Sequence, residues 1–452
     1  MKTIFMTCQL GQELRDFMVG TFYKIAQADK GVRLIVFAPP NTIDDMRKNF
    51  ANEHCIVEPL IIERPKGRMA RMFFGFMASY PMIPTETIYI RQRYAYLNGG
   101  SFSGFVVKRI LWVLGHTSVA RKIVRAIWYR FFCDDYKWSE YFDRYKPDVV
   151  FGTSGFRWWD FTILAHAKRR GIPTVLMLRS WDNLSTKAFL FVIPDMLLAQ
   201  NPVMVTEAID WHDVPKEKIR LVGSPPYDHY ANSSWFLSRE EVARRIGIDF
   251  RKRWIGYFSG PLFTGVLGCE DTGEHIKMIQ DAIQGGRIQN AEVIASIHPD
   301  NKSVLEAYRV HCPVLNLVKG WKFDVEQTRL LASFIRECGV MTHFGSTVSL
   351  DAAILDTPSI IVGFNGYREK DFPWQKKLSV AFDHTLHMHY LLRTKGMIRV
   401  NTETEFIDAI NTYLGNRVLH QDGRARLVND LVGPVDGRVG ERVFNAVLSM
   451  AK

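Results

Sequence analysis

Two clusters of polar residues have the types and spacing to do chemistry. The first is Thr342-His343-Phe344-Gly345-Ser346-Thr347, with Asp351 one helical turn further on and Pro358 closing the segment. Its pattern predicts a short strand (Gly339 to Thr342), a small-residue loop, a helix opened by Ser346 or Thr347 and ended near Asp356-Thr357-Pro358, and a buried strand from Ser359 to Gly363. Such a unit can hold a phosphate. The first N–H groups of a helix carry partial positive charge, the two hydroxyls donate, and Gly345 lets the main chain approach closely. Asp351 is placed to meet a sugar hydroxyl. Small hydroxyl residues are also ordinary helix caps, so the local pattern suits a capped helix equally well. His343 beside the loop reads as a structural histidine.

The second cluster, Arg179-Ser180-Trp181-Asp182-Asn183-Leu184-Ser185-Thr186-Lys187, follows the predicted strand Thr174 to Leu178. In open parallel sheets ligands sit beyond the carboxyl ends of the strands. A loop that only connects elements seldom needs Arg, Trp, Asp, Asn and Lys together, although Asp182 and Asn183 also suit the cap of the next helix.

The elements that must position these clusters alternate. Apolar runs at Lys2 to Thr7 and Val32 to Ala38 are separated by a helical pattern, and the rhythm resumes at Val149 after an interruption. Uniformly apolar strands with helices between them indicate a parallel sheet covered on both faces. The turn at Gly11 lacks a full G-x-G-x-x-G pattern, so dinucleotide binding there is poorly supported. Ser224-Pro225-Pro226 breaks the rhythm, and a second series begins at Trp254, reaching Phe258-Ser259-Gly260 and then Ala291 to Ile297, which ends in His298-Pro299-Asp300. The fold class this predicts is α/β, two doubly wound Rossmann-like domains facing a cleft: residues 1–225 and 226–452, with the last helix, after Asp436-Gly437, crossing back.

A chain of 452 residues exceeds what one hydrophobic core usually organises. No apolar run is long enough to span a bilayer, and the chain enters a strand directly, which predicts a cytoplasmic protein without a cleaved leader. The six cysteines are scattered without a C-x-x-C pair, which fits reduced thiols rather than disulfides or zinc. The net charge of +11 is concentrated. Residues 64–132 carry twelve basic side chains against the single acid Glu86, while the rest of the chain holds 46 basic and 46 acidic residues. This tract is also rich in Phe, Trp, Ile and Met, a combination that fits an amphipathic insertion in the first domain lying on anionic lipid at the inner face of the cytoplasmic membrane. A helical insertion whose apolar side is core accounts for it too. No nucleic-acid-binding module is recognisable, and no nucleic acid partner is expected.

Taken together, Val222-Gly223-Ser224-Pro225, His298-Pro299, Gly345-Ser346-Thr347 with Asp351, and Asp436-Gly437 followed by Glu441-Arg442 resemble the GT-B glycosyltransferases. The resemblance is to the bacterial surface-polysaccharide branch related to CDP-glycerol glycerophosphotransferases. It implies a nucleotide-sugar or CDP-glycerol-type donor held by His298, Gly345, Ser346 and Thr347, with Asp351 near the sugar or ribose and Ser259 and Gly260 as neighbours. The donor is a substrate, and no cofactor or metal is expected, since helix N-termini and basic side chains can meet the charge of the leaving group. An acceptor hydroxyl needs a base. Asp182 is the choice, with Asp160, Glu13 and His166 as rivals, and Arg179, Trp181, Asn183 and Lys187 are acceptor or phosphate contacts. The implied activity is transfer to a lipid-linked or saccharide acceptor in cell-envelope polysaccharide or glycolipid synthesis. The alternatives are a non-transferring enzyme such as a UDP-N-acetylglucosamine 2-epimerase, or a nucleotide-binding, membrane-docking protein without turnover.

Overall fold

The computed structural model describes residues 1–9, 11–60, 73, 77, 81–133, 136–155, 157–187, 189–260, 273–297, 312–315, 325–374 and 377–451. They divide into two units, one of Met1–Gln92, Ser101–Ala231 and Leu431–Lys452, the other of Arg93–Gly100 and Asn232–Asp430.

The first unit is built on seven strands: β1 (Lys2–Thr7), β2 (Val32–Ala38), β3 (Cys55–Pro59), β4 (Val149–Gly152), β5 (Thr174–Met177), β6 (Met196–Ala199) and β7 (Ile219–Leu221). All pair in parallel in the order β3-β2-β1-β4-β5-β6-β7. Successive side chains of a strand point to opposite faces, so a sheet covered on both sides needs strands that are apolar throughout. In β1, Phe5 joins Ile35, Phe37, Trp138 and Phe142 on one face. Ile4 and Met6 join Leu34, Val36, Val149 and Phe151 on the other. That second face is closed by helix α1 (Thr21–Ala28) and by the terminal helix Val439–Met450, whose Phe444 ring lies 5.9 Å from Phe22.

Between β3 and β4 the rhythm gives way to helices α2 (Glu86–Leu97), α3 (Phe102–Leu114) and α4 (Ser118–Ile127). Ser101 caps α3 by accepting from the Gly104 N–H at 3.2 Å, and Thr117 caps α4 by accepting from the Ala120 N–H at 3.4 Å. The basic tract presents less surface charge here than its composition indicated. Arg121 and Arg125 are buried and each pairs with Asp213 at 2.6 Å. Arg64, Lys66, Arg68 and Arg71 lie outside the described residues.

After β4 come helix α5 (Trp158–Arg169) and β5. The second unit has six strands: β8 (Arg253–Phe258), β9 (Ala291–Ser296), β10 (Val314–Leu315), β11 (Val340–His343), β12 (Ser359–Val362) and β13 (Ile398–Val400). They too are all parallel, in the order β10-β9-β8-β11-β12-β13. Helix α6 (Val348–Ile354) joins β11 to β12, and the terminal Val439–Met450 helix is α7. Helices at Leu378–Asp383, Leu386–Arg393 and Gln421–Leu431 were not legible in the sequence. The first is only six residues long, the second carries two histidines and a tyrosine, and the third is largely polar, so none shows a clean 3.6-residue apolar period.

Candidate functional site

Each sheet has one place where strand order reverses, and ligands of open parallel sheets bind beyond the strand ends there. In the second unit that place lies between β8 and β11. Ser259 and Gly260 follow β8; Phe344, Gly345, Ser346 and Thr347 follow β11. The two loops meet, because a side chain at Gly260 would stand 3.5 Å from the Phe344 ring. The structure therefore brings together Ser259, Gly260, Gly345, Ser346 and Thr347, with Asp351 in the first turn of α6. Gly345 has φ +67° and a side chain there would collide with Met388, so the tight turn needs glycine. His298 lies outside the described residues.

Ser346 and Thr347 are exposed, and among the described residues neither hydroxyl makes a hydrogen bond. Thr347 stands at the N-cap of α6 in helical conformation without a side-chain cap bond. The hydroxyls are therefore not used as caps; in the first turn of α6 the Ser349 and Leu350 N–H groups donate to the Ser346 and Thr347 carbonyls, both at 2.9 Å. His343, fully buried at the end of β11, accepts the Gly345 N–H on Nδ1 at 3.0 Å. This leaves its proton on Nε2, which has no partner among the described residues, and burial lowers the ring's pKa to about 3, so it is a neutral donor.

In the first unit the order reverses between β1 and β4. Asp160, at the start of α5, spans that point. Its Oδ1 accepts from Thr7 Oγ1 at 2.7 Å and its Oδ2 from the Gly155 N–H at 3.1 Å. Burial pushes its pKa up to about 6, against these hydrogen bonds and the charges of Arg157 and Arg179. Nearby, Glu13 is buried and its Oε2 accepts the Gln9 N–H at 2.6 Å. Burial also raises the pKa of Asp16, opposed by Arg15. Arg179 stands among these acids: burial weakens its hold on its proton, and the charges of Glu13, Asp182 and Asp16 oppose that effect. Ser154 Oγ, buried after β4, has no hydrogen-bond partner among the described residues. Thr7 and Ser154 were missed from the sequence, where a strand-end Thr or Ser carries no distinguishing signal.

The loop after β5 is largely occupied with its own shape. Asp182 Oδ1 accepts from Ser180 Oγ at 2.7 Å, its Oδ2 accepts from Thr186 Oγ1 at 3.2 Å, and Lys187 Nζ stands 4.0 Å away. Asn183 is fully buried and accepts the Ser180 N–H at 3.1 Å; Trp181 is buried as well. Asp182 and Lys187 keep partial solvent access, with side chains 20% and 37% exposed. His166 is buried with its ring centroid 4.5 Å from that of Phe142, a packing position.

No family model matches the chain, and no curated protein matches it in sequence. Solved structures match over its whole length. MnaA of S. aureus in complex with UDP superposes with a TM-score of 0.55, covering 100% of this chain and 98% of its own, at 11% identity. UDP-GlcNAc 2-epimerase of Neisseria meningitidis bound to UDP-GlcNAc gives 0.53 over 99% and 100%, at 10% identity. The wall teichoic acid polymerase TagF with CDPG gives 0.51 over 99% and 88%, at 8% identity. At such identities the likeness is one of fold. The chain has a GT-B-like α/β fold of two doubly wound Rossmann-like domains.

Proposed function

We propose that this chain is a metal-independent transferase that moves a sugar or glycerophosphoryl group from a nucleotide-activated donor to a lipid-linked or saccharide acceptor in cell-envelope polysaccharide or glycolipid synthesis, at the inner face of the cytoplasmic membrane. The observation that carries this reading is the pair of exposed, uncommitted hydroxyls of Ser346 and Thr347 at the reversal point of the second sheet. They stand at the N-terminal end of α6, where the peptide dipoles favour an anion. When the bond between donor group and nucleotide breaks, the charge left on the departing phosphate is met by these donors. The acceptor hydroxyl attacks the carbon or phosphorus from which the nucleotide departs, and its proton passes to a carboxylate base. Asp182 is assigned that role, since Glu13 and Asp160 are enclosed and Asp182 keeps solvent access.

The enclosed pair also supports a second reading, a non-transferring enzyme of the epimerase kind. A buried carboxyl with a pKa of about 6 suits proton exchange at a substrate carbon sheltered from water.

Thermal unfolding with a panel of nucleotide sugars and CDP-glycerol tests the donor site. One donor should raise the melting temperature, by roughly 2.7 kcal/mol of stabilisation at about one hundred times Kd. Ser346→Ala and Thr347→Ala should each weaken binding roughly tenfold or more, the loss of a hydrogen bond to a charged group. No shift with any nucleotide overturns the donor site. With the donor in hand, nucleotide release that requires an acceptor marks a transferase, conversion of the donor alone marks an epimerase, and binding without either marks a protein without turnover.

A further inference from the structure

Helix α4 has its polarity turned inside out. Arg121 and Arg125 face the protein interior. Arg121 donates to both Asp213 and the Gly115 carbonyl, and Arg125 donates to Asp213 and the carbonyls of Leu190 and His212. The apolar residues face out: Val119 is 68% exposed, Ile123 53% and Ile127 39%, and Phe131 in the following turn is 69% exposed. This is a stripe at four-residue spacing on the surface side of the helix. Helix α3, joined to α4 by a three-residue turn at Gly115-His116-Thr117, also exposes apolar side chains, with Phe102 at 67%, Ile110 at 53% and Val113 at 61%. Its inward side is formed by Leu111 and Trp112, packed on the core. Gly115 lets the turn press against the Met82 carbonyl, which a side chain there would strike.

Exposed apolar side chains concentrated on two helices consecutive in the chain mark a surface that is covered in use. Its charge says by what. From Thr87 to Cys133 the chain has no acidic residue, and Lys122 and Arg130 are exposed among the apolar side chains. Two copies meeting through this face about a twofold axis would set like charge against like charge, with no acid in the tract to pair them. An anionic lipid surface supplies the opposite sign and an apolar layer beneath it. Neither helix spans a bilayer: among the described residues no helix is long and apolar enough.

We propose that the outer face of α3 and α4 is an interfacial membrane-docking surface, in which Phe102, Ile110, Val113, Val119, Ile123 and Phe131 enter the acyl boundary while Lys122 and Arg130 contact anionic headgroups. The inference rests on the membrane partner proposed above and names the face that meets it. Arg121 and Arg125 are not part of that face, because they hold α4 to Asp213.

The test is co-sedimentation of the full chain with vesicles of phosphatidylcholine alone and of phosphatidylcholine mixed with phosphatidylglycerol, at low and high salt. The protein should bind the anionic vesicles at low salt and release as salt screens the headgroups. K122Q with R130Q should weaken binding roughly thirty-fold, at roughly fivefold for each base near an anionic surface. I110S and I123S should each weaken it roughly tenfold. All these side chains are exposed, so the variants should unfold at the wild-type temperature. Equal binding to neutral and anionic vesicles, wild-type binding by the variants, or no binding at all overturns the proposal. A concentration-dependent dimer dissolved by I110S with I123S also overturns it, in favour of a second copy. Nucleotide-induced stabilisation is measured without vesicles and docking without nucleotide, so failure of the donor reading and failure of the docking face are seen separately.

Discussion

Asp160 is a carboxyl whose surroundings hold its proton. Two hydrogen bonds tie it across the reversal point of the first sheet, yet full burial prevails and raises its pKa to about 6 from 3.8. The folded value lies above the unfolded one. Stability from this group is therefore fully present below about pH 4, falls as pH rises through about 6, and is lower by an order of 3 kcal/mol above that. Urea unfolding of Asp160→Asn and of the wild type at pH 4.5 and pH 7 should show the wild type losing stability relative to the variant as pH rises. A constant difference would mean that Asp160 ionises normally. At this scale the sequence placed Asp160 and Glu13 among the candidate bases but showed nothing of their enclosure. Burial depends on which strands are neighbours: Thr7 and Gly155 reach Asp160 only because β1 lies beside β4.

The same dependence governs elements. The composition of residues 64–132 made basic, apolar helices legible, and α3 and α4 formed where Ser101 and Thr117 cap them. Which side α4 turns inward was not legible, because an amphipathic stripe normally faces the core and here faces out. Asp213 decides it, more than eighty residues downstream of the helix. Although burial pushes its carboxyl up, the hydrogen bonds from Arg121 and Arg125 hold it well below the usual range. Asp213→Ala leaves two enclosed guanidinium groups without their counter-charge and should cost about 3–5 kcal/mol. Lys122→Gln, on the exposed side, should stay within about 0.5 kcal/mol. Denaturant midpoints of the two variants check this, and a loss below about 1 kcal/mol for Asp213→Ala would show that the ion pairs do not set the orientation of α4.

At the scale of the whole molecule, the buried His212, His275 and His343 bind the fold to neutral pH. Burial lowers the pKa of His212 to about 3, of His275 to about 4 and of His343 to about 3. His212 donates from Nε2 to the Leu184 carbonyl at 2.8 Å, and His275 bonds the Phe364 carbonyl through Nε2 at 3.0 Å. With folded values below the unfolded 6.5, their contribution is present above pH 6.5 and is lost as pH falls towards 3, because the unfolded chain takes up the proton first. By pH 5 each should cost about 2 kcal/mol, opposite in sign to the effect of Asp160 over the same range. Chemical unfolding at pH 7 and pH 5 should show a clear net loss on acidification. Equal stability would mean that these rings are protonated in the folded chain.

The sequence by itself determined the α/β class, the two β-α series, nearly every strand, and the loop that carries Gly345, Ser346 and Thr347. These rest on local physics: uniformly apolar runs, turn residues and hydroxyls at a helix start declare themselves to their neighbours in the chain. Only the tertiary structure decided what is enclosed and what is open. It left the Ser346 and Thr347 hydroxyls free of the capping role their types allowed, took the Asp182 carboxylate into bonds within its own loop, and turned the isoleucines of α4 to the surface with its arginines inside. Each of those outcomes depends on partners far along the chain or on backbone geometry at one turn, and residue types at a given spacing specify neither.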